Sequence, residues 1–156
     1  MLEGQFIGVQ EPKSVFTLKK RFTVLKSGRI LLHATALGLY FAEVNGERVG
    51  DAYLAPGWTS YKKMLQVQEY DVTDLLREGE NEIVFMVSEG WYCGPLTWEH
   101  KRNVFGAQTA ICADIIADGK TVLSTDENWT ARESHIRESG IYNGETVDYT
   151  AECKPL

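Results

Sequence analysis

Carboxylate side chains are the residues of this chain whose type and number come nearest to suggesting chemistry. The 156-residue sequence contains 22 Asp and Glu residues. Inverting hydrolysis of a glycosidic bond needs two carboxyl groups about 6.5 to 9.5 Å apart, one of them with a raised pKa. Candidate acids are Glu145 with Asp148, and Glu89 close to Trp91. With so many acids such pairs are inevitable, and nothing distinguishes these from solvated loop residues, so the sequence predicts no independent catalysis.

The histidines and cysteines lack the spacing of a catalytic or zinc site. The histidines form no HxH or HExxH motif, and the glycines form no GxGxxG nucleotide cradle. Three widely spaced cysteines fit neither a disulfide framework nor a zinc pattern, which favours a reduced, cytoplasmic location. Cys93 and Cys112 are predicted to be small core or loop residues. The residues concerned are His33, His100, His135, Cys93, Cys112 and Cys153.

Aromatic residues in Gly- or Pro-containing segments are the candidates for binding a sugar. A flat ring can cover the C–H face of a pyranose while nearby amides and carboxylates bond its hydroxyls. The alternative is that these rings fill the core or dock on a neighbouring domain, since Trp is usually well buried. We favour that alternative for Trp58 and Trp91, leave both open for Trp98, and assign Trp129 to the core. The sugar-binding candidates are Trp58, Trp91, Tyr92 and Trp98.

Composition and charge limit the classes of function. A length of 156 residues fits a single domain, residues 1–156, that buries about two-thirds of its unfolded surface. A net charge of −6 and a pI near 5.1 argue against nucleic acid as a partner. No basic segment followed by an apolar run opens the chain, and no apolar run approaches the ~18 residues of a membrane span. We therefore expect no signal peptide, no membrane partner and a cytoplasmic location.

The elements that must position these residues are predicted to be strands. Short segments rich in β-branched and aromatic residues recur between turn residues, which favours an all-β jelly-roll β-sandwich. Asn45-Gly46 and Asp118-Gly119 predict type I′ hairpin turns, and a further turn is expected at Ser27-Gly28. The predicted strands are residues 15–25, 29–37, 39–44, 48–51, 64–70, 82–88, 107–116, 121–123, 129–132 and 146–149. Residues 82–88 are expected to be buried on both faces, and residues 133–143 to form a loop.

One short helical turn is predicted between these strands. Residues 71–81, with the sequence DVTDLLREGEN, carry Asp71 or Thr73 as a cap and Gly79 as a left-handed stop. No long helix is expected elsewhere.

Several strings together resemble a known family. The Asn45-Gly46 pair, DVTDLL and GEN are similar to the jelly-roll accessory domains of many bacterial glycosidases. With LAPGWTSY and GWYCG added, the chain resembles the N-terminal domain of bacterial α-L-rhamnosidases, from about Phe16 to Asp148. The strings occupy residues 71–76 (DVTDLL), 79–81 (GEN), 54–61 (LAPGWTSY), 90–94 (GWYCG), 102–106 (RNVFG) and 142–148 (YNGETVD).

This resemblance implies a galactose-binding-domain-like fold and a role without catalysis. Family enzymes are several times longer and carry the catalytic carboxylates on a downstream α/α barrel. The chain would then be a fragment of a multidomain glycosidase, and its C-terminal TAECKPL agrees with that expectation. The implied partners are the downstream catalytic domain and rhamnose or rhamnosides, with the present domain binding carbohydrate or giving structural support. The alternative is a generic sugar-binding or scaffold module of another glycosidase, such as a β-galactosidase-like enzyme.

The resemblance also implies a calcium-assisted version of sugar binding. In some relatives, an Asp after the hairpin and an Asn before the Phe-Gly turn hold calcium against rhamnose. The matching positions are Asp51 and Asn103, which are therefore both metal and sugar candidates. Calcium takes about six to eight oxygen ligands, and Ala52 stands where those relatives offer another side-chain oxygen. No cofactor is otherwise required.

Overall fold

The architecture is that of two antiparallel sheets with a small hairpin beside them, in a computed structural model that describes residues 2–25 and 28–156. The predicted turn residue Ser27 lies outside the described residues. The strands are β1 Val15–Val24, β2 Ile30–Leu37, β3 Leu39–Val44, β4 Glu47–Arg48, β5 Gln68–Asp71, β6 Gly79–Ser88, β7 Ala110–Ala117, β8 Lys120–Ser124, β9 Thr130–Glu133, β10 Ile136–Gly140 and β11 Gly144–Val147, and the helix α1 spans Gly90–Cys93. None of the helices in the described ranges is long and apolar enough to cross a membrane.

The five-stranded sheet has the order β4-β3-β6-β1-β9, and the four-stranded sheet has the order β5-β2-β7-β8. Strands β10 and β11 form a separate two-stranded hairpin. Every pairing is antiparallel, and β6 pairs with β1 along its whole length and with β3 from Ile83 to Ser88, so that Phe85 lies opposite both Leu18 and Ala42. The predicted β-sandwich is confirmed.

The core lies between the two sheets. It is filled by the inward-facing residues of each strand, of which Phe16, Phe85, Ile30 and Ile111 are completely buried. Trp129 packs its ring against Phe85 with centroids 5.7 Å apart, and only 8% of its surface is exposed. The predicted core position of Trp129 is therefore confirmed. Cys93 and Cys112 are also buried, as predicted.

Both predicted type I′ turns are confirmed by backbone geometry. Asn45 and Gly46 have φ of 53° and 83°, and Asp118 and Gly119 have φ of 50° and 73°. A type I′ turn needs positive φ at both central residues, which Asn, Asp and Gly adopt with the least strain. The Asn45 side chain also fixes this end of the sandwich by donating to Leu75 O and to Asn81 Oδ1, each at 2.8 Å.

The predicted helical turn within residues 71–81 is a single hydrogen-bonded turn at 73–75, where Leu75 N donates to Val72 O at 3.1 Å, and it is not a helix. Asp71 Oδ1 accepts from Thr73 N at 3.1 Å and from Thr73 Oγ1 at 2.6 Å, which makes a turn. Arg77 N donates to Asn81 Oδ1 at 3.0 Å instead of to a carbonyl one turn earlier. Side chains therefore satisfy the backbone groups that a helix would use. The left-handed conformation of Gly79 is confirmed, with φ of 89°.

Other strand boundaries depart from the predictions. The expected strand at 48–51 is reduced to Glu47–Arg48, and the one at 64–70 is confined to Gln68–Asp71. Strand β6 alternates between buried and half-buried residues instead of being buried on both faces. Strand β10 lies within the predicted loop, where Ile136–Gly140 pairs with Gly144–Val147.

A strap of N-terminal residues pairs with β7 in the four-stranded sheet, at a part of β7 that β8 does not reach. This N-terminal strap, residues 3–11, exchanges two 2.9 Å backbone hydrogen bonds between Ile7 and Ile111 of β7. Gln5 N donates to Thr125 O at 2.9 Å. The buried Asp114 carboxylate accepts from Glu3 N at 2.6 Å and from Gly4 N at 2.9 Å, which fixes the beginning of the strap.

The Asp71 carboxylate predicts a local pH dependence. Its pKa is lowered from an ordinary 3.8 to about 2, first by the Thr73 hydroxyl and then by the guanidinium of Arg29. Because the folded-state pKa lies below the unfolded one, the stabilisation is complete above about pH 4 and is lost as pH falls towards 2. Urea midpoints of wild type and Asp71→Asn, measured between pH 2 and 7, should converge at the acid end. A constant difference across the whole range would contradict this assignment.

Candidate functional site

Five rings from three segments meet at one end of the molecule. We call this cluster the aromatic face, and it consists of Trp58, Tyr61, Trp91, Tyr92 and Phe105. The indoles of Trp58 and Trp91 are stacked, with centroids 5.8 Å apart and planes 14° apart. The ring of Tyr61 lies 5.2 Å from that of Tyr92 and 5.0 Å from that of Phe105. The face thus joins the β4–β5 loop, helix α1 and the α1–β7 loop.

The β4–β5 loop is held in place where it pairs with the edge of β3 in the five-stranded sheet. Tyr40 N in β3 donates to Ala55 O at 2.8 Å, and the Ala55–Pro56 peptide bond is cis. Gln68 Nε2 donates to Pro56 O at 3.1 Å. Gly57 follows with φ of 98°, a conformation that favours glycine, and the chain then presents Trp58.

Helix α1 and the loop after it are joined by a buried carboxylate. Glu89, 9% exposed, forms an ion pair with Arg102 and accepts from Ser14 Oγ at 3.2 Å. Asn103 N donates to Cys93 O at 3.0 Å, and Phe105 N donates to Tyr92 O at 3.3 Å. These contacts hold residues 102–105 against the helix.

Close packing in the same region leaves little room for larger side chains. Gly90 has φ of 50° and lies against the side chain of Leu39. Gly106 lies directly beneath the phenol of Tyr92, so that a Cβ there would collide with it. Burial raises the pKa of Tyr61 to about 12 and also raises the pKa of Tyr92. Both phenols therefore stay neutral near pH 7.

The predicted sugar-binding aromatics fall into two groups. Trp58, Trp91 and Tyr92 lie together in the aromatic face, whereas Trp98 is fully exposed and has no ring contact among the described residues. A core position is wrong for Trp58, because its ring lies outside the two sheets and is 55% exposed. Trp91 and Tyr92 are half-buried. Docking on another domain and sugar binding therefore both stay open for Trp58.

Sequence reasoning did not select Tyr61 and Phe105 as members of this cluster. Both belong to strings that carried the family resemblance, LAPGWTSY and RNVFG. Their proximity to Tyr92 depends on a loop path that no local pattern encodes. The strings were nevertheless the one available signal.

The two predicted calcium ligands are both exposed loop residues. Asn103 has φ of 59° and lies beside the end of α1 through its bond to Cys93. Asp51 follows β4, and the carbonyl of the next residue, Ala52, already accepts from Arg48 Nη2 at 2.9 Å. Among the described residues, no group of three or more His, Cys, Asp or Glu side chains could hold a metal ion. Asp51 and Asn103 would supply two of the six to eight oxygen ligands that calcium takes.

The candidate catalytic acids have ordinary structural partners. Glu89 is paired with Arg102, and Glu145 Oε1 accepts from Ser139 Oγ at 3.4 Å. The pKa of Asp148 is lowered, mainly by the hydroxyl of Thr150. A general acid for glycoside hydrolysis needs a raised pKa, so Asp148 is unsuited to that role.

Fold and site together define a β-sandwich module that exposes an aromatic face at one end. A model of the α-L-rhamnosidase N-terminal domain matches residues 26–155. The chain belongs to this family, as the resemblance implied.

Individual relatives agree with this assignment. An α-L-rhamnosidase of Streptomyces avermitilis is 40% identical over 131 residues, which is 81% of this chain and 13% of that protein. A crystal structure of α-L-rhamnosidase from Aspergillus terreus superposes with a TM-score of 0.82 at 36% identity, covering 94% of this chain and 18% of the other. A crystal structure of α-L-rhamnosidase from Streptomyces avermitilis complexed with L-rhamnose superposes with a TM-score of 0.81 at 37% identity. The match covers 88% of this chain and 14% of the other. The chain thus spans less than a fifth of the length of each.

Proposed function

We propose that this chain is the N-terminal accessory domain of an α-L-rhamnosidase and packs against the catalytic domain through its aromatic face. The observation that carries the proposal is the exposed Trp58, held flat on Trp91 by a fixed loop. Exposed aromatic rings of this kind are enriched in protein interfaces. The domain itself would contribute shape and stability, and the downstream part of the polypeptide would contribute the chemistry.

The surroundings of Trp58 support packing over sugar binding. The same loop exposes Tyr53, Leu54, Met64 and Val67, each with more than half of its surface accessible. Exposed apolar residues grouped along a segment indicate a contact surface.

Trp58→Ala separates the two contributions of this ring. In the isolated chain it should cost about 1 kcal/mol, because it removes the stacking on Trp91. In the complete parent polypeptide it should cost about 2 kcal/mol or more, the usual effect of truncating a central interface residue. The measurement is thermal unfolding of both proteins, with Tyr142→Ala, an exposed aromatic in the β10–β11 turn, as the control. Equal costs in the two proteins would exclude packing through Trp58.

Rhamnose binding is the second candidate, favoured by the position of Asn103. Its backbone N–H donates to Cys93 O at 3.0 Å, so Asn103 lies next to the helix that carries the half-buried Trp91 and Tyr92. A ring with a nearby amide is suited to a pyranose, which presents both a C–H face and hydroxyls. Calorimetric titration of the chain with L-rhamnose, with and without calcium, tests the idea. The absence of heat in both titrations would exclude rhamnose binding, with or without calcium. If Asp51→Ala and Asn103→Ala still bind with the same heat, these two residues are not the ligands.

The isolated chain should not hydrolyse rhamnosides. We expect no product above the buffer rate from aryl α-L-rhamnosides, because Glu89 and Asp148 are engaged as described above. Release of the aryl group can be followed by absorbance at saturating substrate. Turnover by the chain that disappears in Asp148→Asn or Glu145→Gln would overturn the non-catalytic assignment.

A further inference from the structure

A cleft of about 740 Å³ opens between the N-terminal strap and the edge of the five-stranded sheet. One wall is the strap itself, residues 5–11, and the floor is formed by Leu18, Trp129 and Ala131. Leu156 also lines the cleft, and its N–H donates to Ala131 O at 3.0 Å. Leu18 and Ala131 are directly paired neighbours in β1 and β9. The cleft therefore lies between the strap and the β1–β9 side of the five-stranded sheet.

The backbone edge of the strap that faces this cleft is unpaired. Ile7 uses its N–H and C=O on Ile111, and in an extended chain the neighbouring residues direct theirs to the opposite side. Within the described residues, neither Phe6 nor Gly8 makes a backbone hydrogen bond. Seven consecutive strap residues line the cleft, which therefore runs along the strap. The edge is thus a free template for one more strand.

The charges at the cleft have one sign. Glu11, Asp126 and Glu127 line it, and its lining includes no Lys, Arg or His. Lys20 Nζ lies 3.7 Å from Asp126 Oδ1 and offsets part of that charge. An occupant with basic side chains would be attracted, and an acidic one would be repelled.

We propose that the cleft binds an extended segment of a partner protein in which basic and apolar residues alternate. The segment would add as a strand to the strap edge at Phe6 and Gly8, as in other cases of strand addition. Its apolar side chains would cover Phe6 and Leu156, which are 46% and 45% exposed, and its basic side chains would face Glu11 and Glu127. The proposal is independent of the packing proposed for Trp58, which involves a different set of loops.

Fluorescence anisotropy with labelled hexapeptides tests the charge requirement on the full 156-residue chain. The probe Lys-Val-Lys-Val-Lys-Val should bind at least about tenfold more tightly than Glu-Val-Glu-Val-Glu-Val, a ratio that corresponds to one favourable charge pair. Added salt should reduce this ratio, because exposed charges are screened. Equal binding of the two peptides, or no binding of the basic one, would overturn the proposal.

Peptide N-methylation tests whether a strand is added. Methylating alternate residues of the basic probe blocks one edge of its backbone, and methylating the other alternate set blocks the opposite edge. One set should weaken binding by about tenfold or more, and the other should leave it within about twofold, since only one edge meets the strap. Equal losses from both sets would exclude pairing along the strap.

The protein side is tested by Phe6→Pro against Phe6→Ala. Proline removes the outward N–H while the bonds of Ile7 to Ile111 are retained, and its restriction of Gln5 to extended conformations agrees with the strap. Relative to Phe6→Ala, Phe6→Pro should lower the affinity for the basic probe by about threefold or more, because one hydrogen bond is lost. Glu127→Gln should weaken it independently. If both Phe6 variants bind alike while their unfolding midpoints agree, the strap edge is not the site.

Discussion

Asn81→Ala will lower the stability of the chain by about 3 kcal/mol, a shift of roughly 10 °C in the unfolding midpoint. The Asn81 amide is 1% exposed and makes four hydrogen bonds. Its Oδ1 accepts from Asn45 Nδ2 at 2.8 Å and from Arg77 N at 3.0 Å, and its Nδ2 donates to Arg77 O and Gly79 O, both at 2.8 Å. Alanine would leave several of these groups buried and unpaired.

Urea unfolding measures this loss, and Asn143→Ala is the matched control. Asn143 is exposed in the β10–β11 turn, where an Asn to Ala change should stay within about 0.5 kcal/mol. The denaturant slope should be unchanged, so that the midpoint alone reports stability. A cost for Asn81→Ala no larger than that of the control would mean that these hydrogen bonds contribute nothing net.

Asp114→Ala will release the N-terminal strap and cost about 2 to 4 kcal/mol, since bonds to a charged acceptor are stronger than neutral ones. The carboxylate is 2% exposed, and it also accepts from Ser124 Oγ at 2.7 Å. Without it, the amides of Glu3 and Gly4 lose their acceptor. Because Thr125 and Ile111 still hold Gln5 and Ile7, the release should begin at the first residues of the strap.

Hydrogen exchange by NMR distinguishes this local effect from general destabilisation. The amides of Glu3 and Gly4, which lose their acceptor, should lose protection by a larger factor than that of Phe85 in the core. Asp74→Ala, at an exposed position, should alter neither the global stability nor the strap. A uniform loss across strap and core would mean that Asp114 supports the whole sandwich instead of anchoring its first segment.

The sequence predicted the sandwich because local signals and sheet geometry agreed. The Asn45-Gly46 and Asp118-Gly119 turns impose positive φ, and the segments around them are rich in β-branched and aromatic residues. The turn signals and the strand signals therefore predicted the same antiparallel sheets. Strand β10 was missed because Ile136–Gly140 contains Arg, Glu, Ser and Gly and has little apolar patterning. Helix α1 was missed because four residues, GWYC, carry no helical period.

The candidate site was only partly predictable. Individual aromatic candidates could be chosen from their Gly- and Pro-containing segments, but the stacking of Trp58 on Trp91 joins residues from different loops. It depends on the contact of Ala55 with Tyr40 and on the ion pair of Glu89 with Arg102. Such long-range contacts have no counterpart in residue spacing, and neither does the unpaired edge of the strap.

The interior position of β1, between β6 and β9, has a consequence for biosynthesis. Its two partners, β6 and β9, contribute Phe85 and Ala131 opposite Leu18. The first strand to be synthesised therefore cannot complete its pairing until residues far downstream have been made. Chains dominated by such non-local pairings fold slowly. While the nascent chain is shorter than about residue 133, one edge of β1 stays open to aberrant strand pairing. Ribosome-bound chains should therefore gain protease resistance abruptly after β9 emerges, not in proportion to length.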